Sequence, residues 1–431
     1  MRLQRLHRNR LVRQNLLLFV GGFSSGVGGF VYNAIAGRIL GPEQYGEMAS
    51  LFSLYTVGFS VNLILMVVLA RYAAALQAEN LPAGIRFVVR RTNLRLLVPT
   101  LAFVVLCTAA SFPIADFLHL SSPVPAIWLG VALAFCWYMA IPRGTLQGSQ
   151  HFLGLSLNQV SELVVRVFAL IALLAIGLGV NGAMLALVAG SGAALLIGTV
   201  SLRRALPKES HREPLPPMTG FIVSACIGTV GVTLLFNLDV VLAKHFLGAH
   251  DAGIYGGLNK IEVIIYYGTL SVSQVLFPRV VEAVAHRAHP GRLLFLSSAL
   301  IVGAGLVAIA VFALVPHLIV NILFGEAFRA ADPFIIPVAV SGLCLSLCNL
   351  LVQFFMAVHD RWYIPILALG CVAQGLLIVA FHHSLESIVA CVLGTFIVLV
   401  LALAARMLLL LPRLRPEMLE EEASPPPPIA G

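Results

Sequence analysis

Apolar residues run through this chain in stretches of about twenty, separated by short clusters of Arg, Gly, Pro and acidic residues. The pattern predicts spans near residues 14–36, 47–70, 96–118, 124–146, 157–179, 181–202, 218–242, 254–279, 293–323, 333–358, 363–382 and 386–411. A hydrocarbon core about 30 Å thick is crossed by about 20 residues of helix rising about 1.5 Å each, so every stretch has the length a crossing needs. Runs such as Phe396 to Leu403 show no alternation of polar and apolar positions, which argues against the strands of a β-barrel. The expected fold is therefore an all-α polytopic membrane protein with about twelve transmembrane helices. A mean hydropathy of +0.97 with 11% charged residues agrees, and no intervening stretch is long enough for a separate water-soluble domain.

Charge sets the expected orientation. With the N-terminus in the cytoplasm, 22 of the 27 basic residues fall on the inside, among them Arg2 to Arg13, Arg86 to Arg95, Arg143 and Arg203 to Arg212. The outside holds only Arg38, Lys244 and Arg329. Such asymmetry predicts both termini inside and an even number of spans. The net charge of +8 then serves topology, and nucleic acid is not an expected partner, since no basic run interleaves with aromatic residues outside the spans. Ala34-Ile35-Ala36 after a basic start resembles a signal-peptide cleavage site, but the preceding apolar stretch is too long for one.

Two halves of six spans are expected: a lobe over 1–202, a cytoplasmic linker over 203–217, a lobe over 218–411, and a disordered cytoplasmic tail over 412–431. The linker carries four basic residues, Glu209, Glu213 and four prolines. The halves also repeat a loop. Ile39-Leu40-Gly41 is followed, after four intervening residues, by Gly46, and Phe246-Leu247-Gly248, again after four, by Gly253, a constant offset of 207. Each follows the first helix of a six-span set, so the halves read as parallel repeats with a cavity between them.

Charges inside spans are costly and mark functional positions by default. Span five carries Asn158, Ser161, Glu162 and Arg166 on one helical face, with Glu162 and Arg166 at i and i+4. The pair reads either as a helix-locking ion pair or as a site where Arg166 meets phosphate while Glu162 holds or releases it. Arg suits phosphate because its planar fork donates two hydrogen bonds at once. Span eight places Asn259, Glu262, Tyr266 and Ser273 on one stripe, with Lys260 about 200° of helical rotation from Glu262. Asp239 in span seven is the expected partner of Lys260. That leaves Glu262 to load and unload protons, to be satisfied by neighbouring polar groups, or to contact sugar.

The stretch Ala36-Gly37-Arg38-Ile39-Leu40-Gly41-Pro42-Glu43-Gln44-Tyr45-Gly46 resembles the signature after the first helix of flippases for polysaccharides and lipid-linked oligosaccharides, in the multidrug/oligosaccharidyl-lipid/polysaccharide (MOP) exporter superfamily. Further matches follow in order along nearly the whole chain: Leu146-Gln147-Gly148 with Phe152, Glu162 with Arg166, Gly179 with Gly182-Ala183, Leu238-Asp239, Gly253-Ile254-Tyr255, Phe277-Pro278 and Leu323-Phe324-Gly325. The resemblance implies a MATE-like, two-lobe, inverted-V transporter that flips a lipid-linked oligosaccharide or polysaccharide precursor from the inner to the outer leaflet by alternating access. It implies a bacterial cytoplasmic membrane, a polyprenyl diphosphate-linked glycan as substrate, and membrane lipids and glycan assembly proteins as partners. Two C-terminal helices found in some members lie beyond the pattern of this chain.

A diphosphate and its sugars cannot cross hydrocarbon unaided, so cationic and polar residues should line the cavity. The candidate substrate-binding residues are Arg38, Arg166, Lys260, Asn158 and Asn259, and the candidate coupling residues are Glu262, Glu162 and Asp239. No catalytic residue, metal site or cofactor is expected, and a proton or sodium gradient is the expected energy source. The seven cysteines, Cys344 and Cys348 one turn apart among them, read as small packing residues. No phosphate-binding loop of the Gly-x-x-x-x-Gly-Lys-Ser/Thr type is present. A small-molecule or drug exporter of the same superfamily and a membrane-embedded glycan polymerase or ligase are the alternatives. A cation exporter calls for an acidic cavity, and a polymerase for a long external loop.

Overall fold

The computed structural model describes residues 2–207, 209–211, 219–285 and 291–410. The expected tail over 412–431 and part of the expected linker, Lys208 and residues 212–217, lie outside the described residues. Thirteen α-helices follow one another: α1 (Arg2–Ala78), α2 (Pro82–Ala109), α3 (Ser111–Phe117), α4 (Val124–Gly148), α5 (Phe152–Ala175), α6 (Gly179–Ala205), α7 (Thr219–Phe246), α8 (Ala249–Ala285), α9 (Gly291–Leu314), α10 (Pro316–Leu323), α11 (Ile335–Ala357), α12 (Tyr363–Ala380) and α13 (Leu385–Leu410). A 3₁₀ helix, Glu326–Phe334, precedes α11. Among the described residues there is no strand.

Among the described residues, ten stretches are long and apolar enough to cross a membrane. The first, Gly28–Ala78, runs 51 residues and is broken at Gly41, so it holds parts of both spans predicted there. Gly41 takes φ 69°, ψ 172°, a backbone state open to glycine, and Pro42 restarts the helix with its preset φ. The predicted eighth span lies in α8. Span nine is divided between α9 and α10, because Pro316 cannot continue the ladder of hydrogen bonds begun in α9. Large apolar side chains stand exposed along α2 (Val98, Leu101, Val105, Leu106) and α9 (Phe295, Leu296, Leu300, Val307). Contiguous surface of this kind suits lipid rather than water.

The chain divides into two compact units. The first comprises residues 1–226, 240–257 and 320–330, the second residues 227–239, 258–319 and 331–431.

Small residues set the packing of the first unit. Gly144 and Gly148, one turn apart on α4, press on the backbone of Met66 and Ala70, one turn apart on α1. A Cβ at Gly144 would lie 2.5 Å from the Met66 carbonyl oxygen. This is the small-x-x-x-small crossing that lets membrane helices approach without a hydrophobic driving force. On α6, a Cβ at Gly190 would lie 2.9 Å from Arg166 Cβ, and one at Gly198 would lie 2.6 Å from Asn158 Nδ2. These contacts draw α4, α5 and α6 together around the polar side chains described below.

In the second unit, Gly342 of α11 presses on the Glu262 backbone of α8, where a Cβ would lie 2.7 Å from the carbonyl oxygen. Gly305 of α9 meets Leu343, and Gly370 of α12 meets Leu399. At the start of α12, Asp360 accepts from Arg406 of α13 at 2.8 Å (Nη2) and 2.9 Å (Nε).

Candidate functional site

Within the first unit, three helices bring four polar side chains together. Arg143 of α4 donates from Nε to Asn158 Oδ1 at 2.6 Å and from Nη2 to Glu162 Oε2 at 2.5 Å. Arg166, one turn beyond Glu162 on α5, donates from Nη2 to Glu162 Oε1. Asn158 in turn donates to the Ala194 carbonyl of α6. Relative exposure is 4% at Arg143, 6% at Glu162 and 8% at Arg166. One carboxylate thus serves two guanidiniums, and the cluster carries net charge +1 when all three groups are ionised. Arg166 Nε is buried and makes no hydrogen bond, so its donor capacity is not exhausted. Tyr55 of α1 pairs with Ser191 of α6 at 3.5 Å, and its hydroxyl also lies within reach of Arg166.

Arg143 is the site residue that sequence reasoning passes over. Read from sequence only as a cytoplasmic cation, it lies inside α4 in an unbroken buried run from Met139 to Leu146. The available signal was its position inside the apolar stretch 124–146, where an arginine needs a buried partner. The Glu162–Arg166 pair itself is present as an i, i+4 contact.

The second unit holds the other candidates. Asn259 donates to the Phe236 carbonyl of α7 at 3.0 Å and accepts from Lys260 Nζ at 3.0 Å. Asp239 and Glu262 both lie near enough for their charges to act on Lys260. Asp239, Lys260 and Glu262 are each buried, Glu262 at 2% exposure, and Glu262 Oε1 makes no hydrogen bond. The expected separation of Glu262 from Lys260 is therefore incomplete: helical rotation points the two side chains apart, but their charges still interact. Elsewhere in the second unit, Gln374 of α12 is fully buried with neither amide atom hydrogen-bonded, a polar residue that span-by-span reading passes over.

Arg38 has a different setting. Its exposed guanidinium donates to the Asn321 and Ile322 carbonyls at 2.9 and 2.5 Å, capping the last turn of α10, where a cation is favoured by the unpaired carbonyls. The signature residues around it converge on the same region of the first unit. Tyr45 packs tilted against Phe324 and edge-on against Phe328, each at 5.5 Å between ring centroids, and its hydroxyl donates to Asn33 Oδ1 at 3.3 Å. Gly325 has φ +89°. Gly46 meets its repeat-related residue Gly253, with a Cβ there only 2.9 Å from Gly253 N, and Gly256 meets Ala49, its own counterpart at the same offset of 207. The repeated loops thus start helices that cross at equivalent positions. Beside them, Glu47 Oε2 accepts from the backbone and hydroxyl of Ser121 at 3.1 and 3.0 Å.

The fold is shared with solved transporters. An inward-facing MATE family multidrug resistance transporter of the MOP superfamily superposes with TM-score 0.75 at 12% identity, over 91% of this chain and 96% of that one. An outward-facing structure of a MATE family transporter of the superfamily gives 0.64 at 12% identity, over 94% and 95%. A MOP superfamily transporter from Pyrococcus furiosus, whose binding pocket is described as of reverse polarity and suggestive of a different function, gives 0.62 at 14%, over 94% and 95%. No curated protein matches the sequence. The chain thus falls in the MATE-like class of all-α folds, with ten stretches among the described residues long and apolar enough to cross a membrane. Within that class the chain belongs to the polysaccharide biosynthesis protein family, whose pattern it matches over residues 11–284.

Proposed function

We propose that this protein flips a lipid-linked oligosaccharide or polysaccharide precursor, carried on a polyprenyl diphosphate, from the inner to the outer leaflet of a bacterial cytoplasmic membrane by alternating access. The observation that carries the reading is the buried cluster in which Arg143 and Arg166 share Glu162. A cationic surplus in a low-dielectric site favours an anionic head group and disfavours the cations that a drug exporter would carry. The reverse pocket polarity described for the Pyrococcus furiosus transporter supports the idea that this fold accommodates such a change of substrate charge. Membership of a polysaccharide biosynthesis family supports a glycan on that head group.

In this reading Arg166 contacts phosphate, Asn158 holds the arrangement, and Lys260 and Asn259 are further candidate substrate-binding residues. Arg38, engaged with the end of α10, acts where substrate passes the exposed surface. The six-span lobes over 1–202 and 218–411 alternate about the linker over 203–217, both termini face the cytoplasm, and assembly proteins deliver or receive the glycan. Glu262 is the coupling carboxylate for a proton or sodium gradient, with Asp239 and Glu162 as the remaining candidates. Transbilayer movement of a defined lipid-linked glycan in proteoliposomes holding only this protein tests the reading. Movement that requires Arg166 is expected, and a preparation that binds small organic cations but leaves the glycan in place would overturn it.

A further inference from the structure

Arg143 and Arg166 make unequal use of their donors. Arg143 is pinned at two points, through Nε to Asn158 Oδ1 and through Nη2 to Glu162 Oε2, and Asn158 is itself anchored on the Ala194 carbonyl. Arg166 donates from Nη2 to Glu162 Oε1, lies within reach of the Tyr55 hydroxyl, and keeps a buried Nε without a hydrogen bond. A carboxylate drawn toward a pinned guanidinium has less negative charge to offer a second one. Were Arg143 absent, Glu162 would be a dedicated, neutralising partner of Arg166 one helical turn away, and the surplus positive charge of the cluster would vanish.

We propose that Arg143 is a positioning residue that sets the affinity of Arg166 for an anionic phosphate group by sharing and restraining Glu162. The inference rests on Arg166 being the anion-binding residue. On arrival of a diphosphate, Arg166 turns its fork from Glu162 to the phosphate oxygens, while the carboxylate stays compensated by Arg143 and is not stranded in the low dielectric. Glu162 acts as an internal stand-in that keeps Arg166 charged, oriented and affordable to bury between cycles. Arg143 need not touch the substrate at all.

Binding of inorganic pyrophosphate to the purified full-length protein, measured by calorimetry in detergent, tests this. Arg143→Gln should weaken binding by about tenfold or more, the loss expected when a charged hydrogen-bonding partner is diverted. Adding Glu162→Gln to it removes the competing carboxylate and should return affinity to within about threefold of the unmodified protein. A residue that only holds helices together, or one that contacts the anion directly, gives no such rescue. A folded double variant that binds as weakly as Arg143→Gln would overturn the proposal. If Arg143→Gln alone does not fold, the double variant, which removes a matched pair of charges, decides by itself: near-normal affinity is expected, and a loss of about tenfold overturns the idea. Arg166→Gln separates the two readings. Loss of binding in Arg166→Gln without rescue in the double variant sinks only the role of Arg143, whereas unchanged binding in Arg166→Gln sinks the anion site and this inference with it. A short-chain prenyl diphosphate run in parallel should give the same rank order with tighter absolute affinity. Weaker binding of the prenyl compound than of pyrophosphate would point to a free rather than a lipid-borne diphosphate and overturn the link to transport.

Discussion

Replacing Gly253 by Ala tests the crossing of the repeat-related helices most directly. Gly253 lies inside α8, where alanine has the higher helix propensity, so considered alone the change should gain about 1 kcal/mol. Packing opposes this. The new Cβ would overlap the Pro42 carbonyl oxygen and crowd the Pro42 carbonyl carbon, with Pro42 Cα 2.9 Å away. All three are backbone atoms, so no side-chain rotamer can relieve the clash, and α8 and the second segment of α1 must move apart. Overpacking of this kind costs about 1–3 kcal/mol, and separating the helices also loosens the ring contacts of Tyr45 with Phe324 and Phe328. The net expectation is destabilisation by about 1–2 kcal/mol, with an opposite sign at Gly268, an exposed glycine of the same helix with nothing near its missing Cβ. Thermal unfolding of the purified variants in detergent, followed by helical circular dichroism, gives the comparison. Gly253→Ala at or above the midpoint of Gly268→Ala would refute the close approach.

Arg166→Gln should abolish glycan movement in proteoliposomes while leaving insertion intact, and Arg166→Lys should restore only part of it, because a point charge loses the bidentate fork; normal transport by Arg166→Gln reduces the residue to a counter-ion of Glu162. Glu262→Gln keeps shape and hydrogen-bonding capacity but cannot change charge, so it should still bind substrate and lose its dependence on an imposed pH gradient. Gradient-dependent transport at the unmodified rate would exclude it and move attention to Glu162. Glu162→Gln alone strands two buried guanidiniums and should destabilise the fold by about 3–5 kcal/mol, whereas Glu162→Gln with Arg143→Gln should cost clearly less, as thermal unfolding will report. Reporter fusions in the linker over 203–217 should read as cytoplasmic, and an external signal there would overturn the assignment of lobes.

Local hydropathy was enough to determine the helices. Whether about twenty consecutive residues prefer lipid is a sum over neighbours in the chain, so the all-helical class, the approximate spans and the helix break at Gly41-Pro42 were legible without a fold. The Glu162–Arg166 pair was legible for the same reason, because i and i+4 meet on any helix. Partners on other helices were not. Arg143 lies 15 residues from Asn158 and 19 from Glu162, and only the close packing of Gly144 and Gly148 on α1 and of Gly190 and Gly198 on α5 and α4 turns it inward to share that carboxylate. Arg38 looked like an external cation awaiting substrate, and the fold gave it the carbonyls of residues 283 and 284 positions away. The repeat at offset 207 could be read as letters, but that Gly46 meets Gly253 and Ala49 meets Gly256 is a property of how two helices cross. A buried charge takes its meaning from whatever satisfies it, and in a helical membrane protein that partner is chosen by which backbones come close enough to touch.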